Sequence, residues 1–354
     1  LKTVDQMRYE CATTVAAGGR ICVGDQLHPR GVLDPAVYRM VGAAYAEAEA
    51  LEPWLIDATP VAEAAVLAVG PLEEELDGIG TQSPDAEGAV QMLIELGVQC
   101  DLVDAVAALD GYRLVVVPDG TAVDETLRQK LAAFVAAGGA LIFSGTAGLD
   151  RDTGDFKLTG APVRYLEPAP TLPSFLRPSG INALETELAA DYDYVYYEQA
   201  HCVEPLDGAR SYGEVSRAYF TRTWQHFMGH QHAAMDRSLS SPLAVRKGKV
   251  LYMAAPLFRG YKKFDYWAYR AMVQGLLSEL LPDQLLYPVG PGWVEYTLQR
   301  QPGNQEHGAR QIVHVISYQP RRSLQPIAHV DQAWPVAGLG FKVRVDNAPK
   351  SVYL

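Results

Sequence analysis

Cysteine is scarce in this chain of 354 residues: Cys11, Cys22, Cys100 and Cys202 are the full complement, and no two form a C-x-x-C pair. That excludes a disulfide scaffold and leaves reduced, mostly buried thiols as the expectation. Long apolar runs are also missing. Nothing approaches the roughly 20 residues that a bilayer-spanning helix requires, and no charged-then-apolar leader opens the chain, so we expect no membrane partner and a cytoplasmic protein. Positive charge is in deficit, with 30 Lys and Arg against 42 Asp and Glu for a net −12. Without basic stripes to displace counterions, no nucleic-acid partner is expected. The glycine-containing loops Gly145–Gly148 and Leu76–Gly80 match neither a P-loop nor a dinucleotide fingerprint, and no cofactor is expected.

What is present is a folded, multi-domain composition, 48% hydrophobic and 20% charged, in a length that usually divides into two or three domains. The opening segment reads as a strand, Arg20-Ile21-Cys22-Val23-Gly24, a polar loop Asp25–Leu33, and a helix started by Asp34-Pro35. One βα unit cannot satisfy its own strand edges, so it reads as the last unit of a truncated β/α barrel. Beyond Trp54 the pattern restarts with a strand at Ala64–Val69, a glycine-rich loop and a helix over Pro84–Leu96. Strands follow at Cys100–Val103 and Tyr112–Val117, then a helix over Asp124–Ala137 and a strand at Ala140–Ser144. A strand at Val250–Met253 and a helix over Asp265–Leu281 return to the same sheet. This alternation predicts an α/β fold with a doubly wound, mainly parallel sheet. Residues 156–235 read as an elaboration on it. From Leu286 onward, period-two runs such as Trp293–Leu298, Gln311–Ile316 and Gly340–Val345 predict a small antiparallel β domain. The division expected is 1–57, 58–285 and 286–354, with both chain ends reading as cut.

Two stretches carry a family resemblance. Tyr9-Glu10, Ala16–Gly19 and Gly24-Asp25-Gln26-Leu27-His28-Pro29-Arg30-Gly31 resemble the end of the catalytic barrel in glycoside hydrolases that include the α-L-fucosidases of family 151. Val61–Leu281, with Phe134-Val135-Ala136-Ala137-Gly138-Gly139-Ala140-Leu141-Ile142, resembles the β-galactosidase trimerisation domain shared with family 42. Arg310–Tyr318 is similar to the β domain that ends such enzymes. The resemblance implies a class I glutamine-amidotransferase-like (flavodoxin-like) central domain, a homo-oligomer, specifically a trimer, and a carbohydrate substrate in the intact enzyme. In family 42 the carboxylate pair that glycoside hydrolysis needs would precede Leu1, so this portion is expected to be non-catalytic.

Candidate sites follow from residue chemistry. An amidotransferase needs a Cys at the turn after a strand, because attack on an amide requires an activated thiolate. The turn at Phe143-Ser144-Gly145-Thr146 has none, which leaves Ser144 as a weak substitute without the G-x-S-x-G context. Asp25, Gln26, His28 and Arg30, with Glu10 beside them, sit where barrel loops build chemistry and could bind sugar hydroxyls. Equally, they could form a hydrogen-bonded loop capping the next helix. His226, His230 and His232 include an i, i+4 pair that on a helix would share a face, as in zinc sites. No H-E-x-x-H is formed, Gly229 opposes the helix, and polar packing or a subunit contact is the competing reading. Tyr192, Tyr194, Tyr196 and Tyr197, near Trp224 and Phe227, suit either a core or interface strand or sugar stacking. The sequence therefore predicts a non-catalytic oligomerisation portion of a glycoside hydrolase. Two alternatives stay open: a hydrolase or amidotransferase-like enzyme acting through Ser144 or the histidines, and a carbohydrate-binding module.

Overall fold

The computed structural model describes residues 2–26, 28–69, 83–182, 188–305, 307–319 and 329–353. The loop Leu76–Gly80 lies outside them. Contacts divide the chain into two compact units, residues 1–62, 94–99 and 285–354 in one, and 63–93 with 100–284 in the other.

The first unit opens with two helices, α1 (Val4–Ala16) and α2 (Pro35–Ala50), followed by one turn, α3 (Glu52–Leu55), and a short strand β1 (Thr59–Pro60). Thr3 and Asp34 start the long helices in the usual way, their side-chain oxygens accepting the backbone N–H of Gln6 and Ala36. Met7, Cys11 and Ala44 form a small core on which Ile21, Met40, Val41 and Tyr45 pack. The strand expected at Arg20–Gly24 does not form. The segment is irregular, and a strand without a paired neighbour leaves its backbone groups to water. The expected βα unit is therefore a helical pair, with α1 unforeseen.

The second unit is built on one large mixed sheet. Its first half alternates β2 (Ala64–Leu67), α4 (Pro84–Glu95), β3 (Cys100–Val103), β4 (Leu114–Val117), α5 (Glu125–Ala136) and β5 (Ala140–Ser144). β2, β4 and β5 are buried along their whole length, as apolar strands covered on both faces must be. The Pro- and Tyr-rich region then adds β6 (Val163–Pro168), β7 (Ser174–Arg177), β8 (Tyr194–Tyr196), β9 (His201–Pro205), β10 (Arg210–Ala218) and β11 (Met235–Lys247). The chain returns to the sheet as β12 (Val250–Met253), followed by α6 (Leu257–Phe264) and α7 (Trp267–Leu280). The strand order is β3-β2-β4-β5-β12-β11-β10-β7-β8. From β3 to β12 all pairs are parallel, and from β12 to β8 all are antiparallel. β6 and β9 pair separately. What read as an elaboration is thus the second half of the sheet.

The remaining strands complete the first unit. β13 (Leu286–Val289) pairs with β16 (Gly340–Val343), and β14 (Glu295–Gln301) lies between β1 and β15 (Arg310–Ile316), all antiparallel. Buried amides join these strands to the helices. Gln299 donates to the carbonyls of Val15 and Ala16, satisfying the end of α1, and Gln99 donates to Tyr296 while accepting from the N–H of Leu298.

Candidate functional site

The parallel strands of the second unit end on a buried polar cluster, the edge at which open α/β sheets place their chemistry. Asp85, in the first turn of α4 and 1% exposed, accepts three hydrogen bonds from Arg259 of α6. Nε reaches both carboxylate oxygens at 3.0 and 3.1 Å, and Nη2 reaches Oδ2 at 2.7 Å. The same guanidinium lies 3.7 Å from Asp119, which follows β4. Asp119 Oδ1 in turn accepts from the Thr146 N–H at 2.6 Å and its hydroxyl at 3.2 Å, tying the loop after β4 to the loop after β5. The Gly148 N–H donates to Thr121 O at 3.0 Å across the same two loops.

Burial pushes the Asp85 carboxyl above its ordinary range, against the pull of Arg259. Burial also weighs against the Arg259 charge, yet the hydrogen bonds and charges of the two carboxylates raise its pKa. His201, at the start of β9 and 6% exposed, is held below its ordinary value by burial, with Asp119 opposing and Arg259 assisting. Its Nδ1 stands 3.4 Å from the Tyr165 hydroxyl. Both carboxylates face the one guanidinium of Arg259, and the arrangement ties the strand ends and the helices α4 and α6 together.

The corner after β5 is Gly145, at φ +55°. A β-carbon there would lie 2.2 Å from Asp119 Oδ1, so a side chain at this position, a nucleophile included, would have to displace that carboxylate. Ser144, just before it, is 0% exposed and its hydroxyl has no hydrogen-bond partner among the described residues.

The residues singled out from sequence lie elsewhere. Asp25, Gln26, His28 and Arg30 are exposed in the irregular stretch between α1 and α2. Within that group the Arg30 N–H donates to His28 Nδ1 at 3.2 Å. Glu10, on α1, accepts from Lys2 at 2.6 Å and Gln6 at 2.8 Å. His226, His230 and His232 occupy an irregular loop between β10 and β11, so the helical face that would have aligned His226 with His230 does not form. Among the described residues no group of three or more His, Cys, Asp or Glu could hold a metal ion. The tyrosine run divides: Tyr194 and Tyr196 are buried, and Tyr192 is exposed. Only two of the four thiols, Cys11 and Cys202, are buried. Asp85, Asp119 and Arg259 were not singled out in the sequence. Asp119, set between Pro118 and Gly120 just past the apolar run Leu114–Val117, carried the clearest available signal.

Residues 90–282 match the family model of the β-galactosidase trimerisation domain. No curated protein matches the chain. Among solved structures, α-L-fucosidase isoenzyme 2 from Paenibacillus thiaminolyticus is 28% identical with a TM-score of 0.87, over 98% of this chain and 51% of that one. The β-galactosidase from Bacillus circulans sp. alkalophilus is 15% identical with a TM-score of 0.56, over 90% of this chain and 45% of that one, and shares the fold. The chain thus spans about half the length of the fucosidase it matches.

Proposed function

Because this chain belongs to the β-galactosidase trimerisation domain family, we propose that it is a non-catalytic portion of a glycoside hydrolase of β-galactosidase or α-L-fucosidase type. In this reading it builds a homo-oligomer, a trimer, and residues 58–285 are the assembly domain flanked by 1–57 and 286–354. The observation that carries the non-catalytic part is the corner at Gly145, where a nucleophile-bearing scaffold would need a side chain and the carboxylate of Asp119 fills the space. The parallel order β3-β2-β4-β5-β12 supports a doubly wound, flavodoxin-like scaffold of the amidotransferase kind, since it corresponds to the 2-1-3-4-5 order of that fold. Four unpaired thiols support a reducing, cytoplasmic compartment.

The exposed group Asp25, Gln26, His28 and Arg30, and Glu10 on α1, are the residues we assign to sugar contacts in the intact enzyme. Assays of the chain on glutamine, on esters and on aryl galactosides and fucosides test the non-catalytic reading. We expect no turnover with any of them. Turnover that disappears in Ser144→Ala would overturn the reading.

A further inference from the structure

The loop joining β10 to β11 divides its apolar side chains between inside and outside. Phe220 and Met228 pack on the cluster of Phe175, Ala218 and Ala233, fixing both arms of the loop to the sheet. Trp224 and Phe227, between them, stay 87% and 66% exposed. Burial of a large aromatic ring is among the larger single contributions to a core, so folding alone gives no account of two rings held in water on an anchored loop. They line a groove of about 660 Å³ together with Leu172, Pro173 and Tyr197.

The polar lining of the groove comprises the Arg222 guanidinium, the Gln231 amide, the Trp224 indole and the hydroxyls of Tyr197, Thr221 and Thr223. The Arg222 guanidinium lies over the Phe227 ring at 4.8 Å, and none of the ion pairs among the described residues includes it. Gln231 and the Trp224 indole N–H add further hydrogen-bonding groups, and among the described residues no carboxylate lines the groove. In a protein with a net charge of −12, the Arg222 guanidinium has no carboxylate partner among the described residues. A flat ring beside a planar fork of N–H donors and an amide is a lining suited to a pyranose. Its C–H face would stack on the indole, and adjacent oxygens would accept from the guanidinium and exchange hydrogen bonds with the amide.

We propose that this groove is a glycan-binding site taking one pyranose unit, with Trp224 as the stacking platform and Arg222 and Gln231 as the hydrogen-bonding groups. The proposal goes beyond the assembly role and does not require it. The test is titration of the whole chain, followed by tryptophan fluorescence and saturation-transfer NMR. The probes are methyl β-galactoside, methyl α-L-fucoside and galacturonic acid, and the native mass of each protein sample is recorded alongside.

We expect saturable binding of at least one probe with a dissociation constant on the order of millimolar, weakened about tenfold or more in both Trp224→Ala and Arg222→Ala at unchanged native mass. Galacturonic acid binding best would assign the Arg222 guanidinium to a carboxylate, and equal binding of the neutral probes would assign it to ring hydroxyls. Both outcomes support the site. Absence of saturation in the parent chain would overturn the proposal, as would unchanged binding in Trp224→Ala. A Trp224→Ala protein of lower native mass that still binds as the parent does would make the loop a subunit contact instead.

Discussion

Oδ1 of Asp119 occupies the space that a β-carbon on Gly145 would need, 2.2 Å from where that carbon would be. Gly145 also holds φ +55°, a conformation that an L side chain adopts only at a cost. Gly145→Ala should therefore destabilise the second unit by roughly 2–4 kcal/mol, through backbone strain together with overpacking. Urea denaturation of the variant reads this loss. Combining Gly145→Ala with Asp119→Ala should recover part of it, because the smaller neighbour removes the clash while the backbone strain stays. Strict additivity of the two losses would show that the clash is relieved elsewhere.

Arg259 should be the most sensitive charged position in the cluster. Arg259→Ala leaves Asp85 buried without its three hydrogen bonds and removes the nearest positive charge from Asp119. The expected loss is roughly 2–4 kcal/mol, toward the lower side for a broken buried pair because the guanidinium is 34% exposed. Arg259→Lys should recover only a fraction, since an ammonium cannot span both carboxylate oxygens in the same plane. A thermal midpoint for Arg259→Ala equal to that of the parent would contradict this.

One buried and one half-buried histidine set a pH dependence. Burial holds His201 and His314 below their ordinary value of 6.5. In the unfolded chain both take up a proton near that value, whereas the folded chain resists until lower pH. Between the folded and unfolded values the unfolded state binds more protons, so stability falls as pH falls below 6.5 and is fully present above it. Asp85 and Glu295, both raised by burial, act in the opposite sense: from the ordinary carboxylate range upward, the stability they withhold grows with pH. Thermal unfolding from about pH 7.5 to about 5.5 should show a declining midpoint, and His201→Gln together with His314→Gln should flatten it. An unchanged slope in the double variant would rule out these imidazoles as its source.

Much of the second unit was legible in the sequence. The strands Ala140–Ser144 and Val250–Met253 fall where their apolar runs place them, because strands buried on both faces are uninterrupted in sequence, and the edge strand Cys100–Val103, only partly buried, also forms where it was expected. Asp124 and the pair Gly138-Gly139 similarly bracketed α5. The antiparallel half of the sheet was not legible. β10 and β11 carry Arg, Ser and Pro on a partly exposed surface, β7 and β8 are largely buried but only four and three residues long, and the pairing of all four is set by register against one another rather than by any one strand's pattern. The segment Arg20–Gly24 failed for the complementary reason: it has strand-like residues but no paired neighbour.

The site was legible only as an absence. A missing thiol near Ser144 can be read from residue types, but the filling of the Gly145 corner by Asp119 depends on two loops that are far apart in sequence. Arg259 gave no local signal at all, since an arginine between Phe258 and Gly260 looks like any helical surface residue until α6 is placed over α4.

Native mass by sedimentation equilibrium, over micromolar chain concentrations, tests the assembly role most directly. The account predicts a single species near three times the 38.6 kDa of one chain. A monomer that persists across the whole concentration range would contradict it.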